Sequence, residues 1–139
     1  MARVMGLDIG KVRIGVALSD ETRTIASPAE TVPAGRNPEK AIERILAIAA
    51  EKQVSNIVIG LPLTLDNREM DSARDVRAFV EALSDKTDLP IAMVDERMTT
   101  AKCEKMLISA NMRRDKRKQV IDQLAACEIL TTWMARNPL

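Results

Sequence analysis

Residues 3–32 hold three strand-like runs in succession, and no helical segment occurs between residues 8 and 36. This order limits the fold more than any other feature, because a flavodoxin-like sheet needs a helix straight after its first strand. "RVMGLD" at 3–8 is a short, nearly continuous apolar run, the pattern of a strand covered on both faces. Residues 12–18 instead alternate, with Val12, Ile14, Val16 and Leu18 set against Arg13, Gly15 and Ala17. That predicts a half-buried antiparallel strand, joined to the first by a tight turn near Gly10. Residues 23–32 form a third strand, and Pro28 favours an edge position because proline cannot donate to a ladder.

Strands and helices then alternate. "NIVIG" at 56–60 and "LPIAMV" at 89–94 are further short apolar runs. Asn37 followed by Pro38 predicts an N-cap with proline in the first turn, and Ile42, Ile45, Leu46 and Ala49 give that helix one buried face. A second helix is expected from near Asp66, with Glu69 in capping-box spacing, burying Met70, Ala73, Val76, Val80 and Leu83. A third starts at Thr99 or Thr100 and buries Cys103, Met106, Leu107 and Ala110; a fourth occupies about 117–135. The order β-β-β-α-β-α-β-α-α predicts an α/β, ribonuclease-H-like fold. Its five-stranded mixed sheet combines a three-strand antiparallel meander with two parallel strands, and helices cover both faces. No repeat or linker divides residues 1–139, so the chain reads as one domain.

Composition removes several kinds of chemistry. The chain has no histidine, which excludes Ser-His-Asp and Cys-His catalysis and histidine-built zinc sites. One Phe, one Trp and no Tyr leave little for a base-stacking platform. The net charge of +1 gives no global field toward nucleic acid or membrane, so any such signal is local. No apolar run is long enough to cross a bilayer, the N-terminus lacks a signal-peptide layout, and Cys103 and Cys127 form no CxxC pair. These features predict a cytoplasmic protein.

Three acidic residues occupy unusual places. Asp8 ends the first strand, Asp95 and Glu96 end the fifth, and Asp122 lies in the last helix. Asp122, Ala125, Ala126, Ile129 and Trp133 fall on one helical stripe, so the aspartate shares the face that meets the sheet. An ionised carboxylate there is costly unless it is paired or bound to metal. The two alanines would let this helix approach the sheet closely. Sites in open α/β sheets form at the carboxyl ends of parallel strands. Converging carboxylates make an oxygen-only ligand set suited to Mg²⁺ or Mn²⁺. Two such ions about 4 Å apart can support phosphodiester hydrolysis. Asp95 and Glu96 point to opposite faces of a strand, and this reading leaves the choice between them open. Each acid also has a structural reading: Asp8 as a turn cap, Glu96 as a partner of Arg97, and Asp122 as a first-turn aspartate.

"MGLDIGKVRIGVALSD", "IASPAETV", "VIGLPLTLD", "VDERMTTAKCEKML" and "RKQVIDQLAACEIL" stand in the order found in the YqgF/RuvX family, which the chain resembles from about Met5 to Leu130. That family comprises small bacterial proteins described as Holliday junction resolvases and as pre-16S ribosomal RNA nucleases. The resemblance implies a metal-dependent nuclease site and carries the family's acidic positions onto Asp8, Glu96 and Asp122, selecting Glu96 over Asp95. It also implies cytoplasmic maturation of the 5′ end of 16S ribosomal RNA. Asn67 stands where many relatives have glycine, and no fourth carboxylate is placed near Asp122.

The run "NMRRDKRKQ" at 111–119 places Arg113, Arg114, Lys116, Arg117 and Lys118 just before the helix of Asp122. A cationic loop there would carry a phosphate backbone, with Arg97, Thr99 and Thr100 as further contacts. The leading expectation is an endonuclease on structured RNA. The alternatives are a resolvase of four-way DNA, which requires a dimer, and a nucleic-acid-binding factor that does not cleave. The chain itself is expected to be a monomer or a homodimer.

Overall fold

A computed structural model of the chain describes residues 3–35, 37–61, 71–95 and 114–137, without the side chains of 71–72 and 114–122. Its strands are β1 (Arg3–Ile9), β2 (Arg13–Ser19), β3 (Ala26–Pro33), β4 (Val54–Leu61) and β5 (Ile91–Asp95). Its helices are α1 (Pro38–Glu51), α2 (Asp71–Ser84) and α3 (Arg114–Arg136). The expected third helix at Thr99 or Thr100, and the Asp66–Glu69 start of the second, lie outside the described residues.

The strands form one sheet in the order β3-β2-β1-β4-β5. β1–β2 and β2–β3 pair antiparallel, while β1–β4 and β4–β5 pair parallel, which is the expected meander plus parallel pair. β1 is central, and its apolar run serves both faces. Met5 and Leu7 join Ile14, Val16, Ile57 and Ile59 beneath α1 and α2. Val4 joins Ala17, Val58 and Val94 beneath α3. Side chains alternate along a strand, so one sheet separates two cores.

Local chemistry explains the punctuation. Pro28 lies in β3, the edge strand. Asn37 Oδ1 accepts from the Glu39 backbone N–H (3.1 Å) and caps α1 ahead of Pro38. The predicted α1 stripe is buried at Ile42, Ile45 and Ala49, with Leu46 at its margin. α2 buries Ala73, Val76 and Leu83 as expected, and adds Phe79. Gly10 N–H donates to the Arg13 carbonyl (2.9 Å), closing the β1–β2 hairpin. A Cβ on Gly10 would sit 2.5 Å from that carbonyl oxygen, so the turn needs glycine for clearance. At the β2–β3 turn Asp20 accepts from the backbone N–H groups of Ile25 and Thr24 and from the hydroxyls of Thr22 and Thr24. The Ile25 backbone bond does most to hold its carboxyl well below the usual carboxylate range, followed by the Thr22 hydroxyl.

Candidate active site

Asp8 sits one residue before the end of β1 and is half-buried. It shares a face with Val4 and Gly6, the face covered by α3. Directly opposite it on β2 is Gly15, and opposite Gly15 on β3 is Thr31. On the other side, Leu7 pairs with Ile59. One step further along that parallel register brings Gly60 beside Asp8, and Gly60 pairs with Val94 of β5. The row Val94–Gly60–Asp8–Gly15–Thr31 therefore crosses the whole sheet with glycine on both sides of the aspartate. No side chain from either adjacent position in the row crowds the carboxylate.

α3 is fixed over this row at two points. Gln123 Nε2 donates to Thr31 Oγ1 (2.8 Å), which ties the helix to the row itself. One row inward, a Cβ on Gly6 would lie 2.7 Å from the Ala126 carbonyl oxygen and 2.9 Å from Leu130 Cβ. The helix therefore rests on bare backbone at Gly6. At the far end the Arg23 guanidinium lies 6.0 Å from the Trp133 ring centroid and donates to Ser55 and Asn56, where β4 begins. α3 thus runs antiparallel to β1, with its N-terminal half at the Asp8 end. Gly6 to Asp8 spans about 6.6 Å of strand. Ala126 back to position 122 spans about 6 Å of helix. Position 122 comes level with Asp8.

Asp95 is on the wrong face to join them. Val94 packs beneath α3, whereas Ile91 packs against the α1/α2 core, so Asp95 faces away from Asp8. Glu96, Arg97, Thr99, Thr100 and Arg113 lie outside the described residues, as does the side chain of Asp122. Among the described residues, no three potential ligands cluster as a metal site.

The basic run requires a correction. Arg114, Lys116, Arg117 and Lys118 belong to the first turns of α3, which begins at Arg114 rather than near 117. The sequence expectation of a loop rests on the lack of an apolar period in this segment. Long unbranched Arg, Lys and Gln residues are nonetheless good helix formers, and Asp115 suits the first turn. The four cations therefore lie on the helix that continues to position 122.

Sequence reasoning missed the glycines at 6, 15 and 60, the Gln123–Thr31 tie and the placement of Arg13. Arg13, read only as part of the hairpin's second strand, shares the α3 face with Ala17 and hence with Asp8. The two alanines, Ala125 and Ala126, point to the close approach of α3 from the helix side; the spacing of Gly6 to Asp8 is the matching signal on the strand. A cleft of about 620 Å³, lined in part by Lys11, Ile14, Asp75 and Phe79, opens on the opposite face and does not include Asp8.

Comparison with known proteins shows the family and the fold. Residues 2–136 match the family model described as "RuvX: Holliday junction resolvase". A protein of Chloroflexus aggregans, named "Putative pre-16S rRNA nuclease", is 42% identical over 137 residues, covering 97% of this chain and 96% of its own. A Roseiflexus protein of the same name is 43% identical over 132 residues, covering 95% and 93%. Among solved structures, Thermus thermophilus RuvC in complex with a Holliday junction substrate superposes with a TM-score of 0.61 at 13% identity, over the full length of both chains. That likeness is one of fold, and RuvC is itself ribonuclease-H-like.

Proposed function

The chain belongs to the RuvX family, and from that premise we propose that it is a divalent-metal-dependent endonuclease for structured RNA, cutting at the 5′ end of pre-16S ribosomal RNA. The observation that carries the reading is Asp8, held at the rim between two glycines, with the helix of Asp122 tied to the same row by Gln123 and Thr31. Val94 lies on the α3 face and Asp95 is turned away from it, which leaves Asp95 out of the ligand set and supports Glu96, the acid that the family resemblance selects.

Asp8, Glu96 and Asp122 would hold Mg²⁺ or Mn²⁺. The chain fits these ions: it has no histidine, and its rim carboxylate is flanked by glycine on both neighbouring strands, so no side chain there competes for the ion. When bound, one or two such ions make water nucleophilic and offset charge on the leaving oxygen. The chain's own residues hold the reactants. Gln123 and Thr31 fix the height of α3 above the sheet. Arg113, Arg114, Lys116, Arg117 and Lys118 draw the phosphate backbone toward the rim, and Arg97, Thr99 and Thr100 contact it beside Glu96. The reading puts the reaction in the cytoplasm, as the family resemblance implies. Among the described residues no helix is long and apolar enough to cross a membrane.

The test compares Mg²⁺- and Mn²⁺-dependent cleavage of a pre-16S fragment and a four-way DNA junction. Asp8→Asn, Glu96→Gln and Asp122→Asn should each abolish cleavage, and EDTA should do so reversibly. Full activity in all three variants would sink the assignment. The family description favours a second reading, resolution of branched DNA. That activity needs a two-fold dimer, so a strict monomer by light scattering on junction DNA would count against it. Loss of cellular function on neutralising 113–118, with the acidic variants still competent, would instead identify a binding factor that does not cleave.

A further inference from the structure

The row outside Asp8 on the same face is formed by Gly10, Arg13 and Pro33. Ile9 pairs with Ile14, Gly10 N–H bonds to the Arg13 carbonyl, and Arg13 pairs with Pro33. Arg13 is the one residue of this row with a long polar side chain. It is half-buried, whereas Lys11 and Val12 at the hairpin tip are exposed. Its neighbours on β2, Ile14 and Val16, are buried in the opposite core, so Arg13 points with Gly15 and Ala17 to the face of α3. Asp8 and Arg13 are diagonal neighbours on that face, about 7–8 Å apart at the backbone. The position between them toward α3 is Gly15, which has no side chain. Gln123 of α3 is tied to Thr31, in Asp8's own row.

We propose that Arg13 is a substrate-binding residue that holds a non-bridging phosphate oxygen of the nucleic acid strand next to the carboxylate site; this rests on the nuclease reading above. A guanidinium presents a rigid fork of donors that matches two phosphate oxygens, and it stays charged at any working pH. A cation one row outward from the carboxylates can take the phosphate adjoining the scissile one without entering the metal ligand set. The basic positions of α3 lie on the helix above the rim, and Arg13 lies on the sheet. The strand would therefore be gripped from both.

The test uses the full chain and a pre-16S fragment carrying one methylphosphonate at a time around the cleavage site. Cleavage is measured in Mg²⁺ and binding in Ca²⁺. R13A and R13Q should lower kcat/KM by about 10–100-fold, the range for losing a hydrogen-bonded charge contact. One methylphosphonate that weakens the wild type should leave both variants unaffected, while the others act equally on all three proteins. An unchanged methylphosphonate profile, or cleavage and binding within about twofold of wild type, overturns the proposal. So does failure of both variants to fold, which would make Arg13 structural. If the wild type binds with this Arg13-dependent profile but never cleaves, the nuclease reading fails and the phosphate contact stands.

Discussion

Gly6→Ala should separate α3 from the sheet, and its cost can be worked from two distances. The new Cβ would lie 2.7 Å from the Ala126 carbonyl oxygen and 2.9 Å from Leu130 Cβ. Comfortable carbon–oxygen contacts begin near ~3.3 Å and carbon–carbon contacts near ~3.5 Å, so the helix must retreat by about 0.6 Å. The obstacle is backbone, so no rotamer change relieves it. A gap of this size forfeits about a quarter of the dispersion well for the atoms lining it. Val4, Ala17, Val58, Ile129 and Leu130 would all lose contact together. Overpacking costs about 1–3 kcal/mol, and a rigid obstacle puts this case near the upper end. With an unfolding entropy near ~0.3 kcal/mol/K for a chain this long, the melting temperature should fall by about 10 °C.

The same retreat carries position 122 away from Asp8. A misplacement approaching ~1 Å costs on the order of 10²-fold in rate, so cleavage at a temperature where the variant is folded should fall about 100-fold. Circular-dichroism melting and single-turnover cleavage measure the two effects. Melting within about 2 °C of wild type would refute the argument that α3 rests on Gly6.

Thr31→Val removes the acceptor of the Gln123 amide; it should cost about 1 kcal/mol by urea denaturation and lower kcat more than it raises KM, because the tie sits in Asp8's row. Gly15→Ala places a methyl at a buried position beside Asp8 and should lower cleavage at a temperature where the variant is folded; cleavage equal to wild type would contradict this. Arg44 grips Glu30 through Nε to Oε2 (2.7 Å) and Nη2 to Oε1 (2.6 Å), lowering the Glu30 pKa through that hydrogen bond. Both groups are partly solvated, so Glu30→Gln should cost at most about 1 kcal/mol at neutral pH. The folded pKa is below the unfolded one, so this contribution is complete above the ordinary carboxylate range. It disappears as pH falls through the depressed value, and denaturation at a series of pH values should show the two proteins converging there.

Much of the fold is legible in the sequence because its signals are local. The alternation at 12–18 describes a strand with two different faces, the continuous run at 3–8 describes one buried on both, and Asn37–Pro38 marks a helix start. The choice between Asp95 and Glu96 is not local. It depends on which core Val94 joins, and that is decided by strands paired across the sheet. The start of α3 escaped for a different reason: a helix turn without an apolar face has no period to read. Gly6 looks like a weak residue in an apolar run until a carbonyl from residue 126 is found against it.

The glycines of this face have two distinct uses, and together they account for where the candidate site lies. Gly6 lets α3 descend onto β1, which a helix can do only where the strand lacks a side chain. Gly15 and Gly60, both buried, then keep side chains out of the next row on both sides of Asp8. If α3 stood higher, position 122 would pass over the carboxylate out of reach. If the next row carried side chains, they would stand between the two elements beside Asp8. A helix lowered at one row and side chains withheld from the next bring strand and helix together at the rim. At that rim the hairpin brings Arg13 and α3 brings its basic first turns. The sheet's other face has no such demand, and there Met5, Leu7, Ile57 and Ile59 fill the same strands with large side chains.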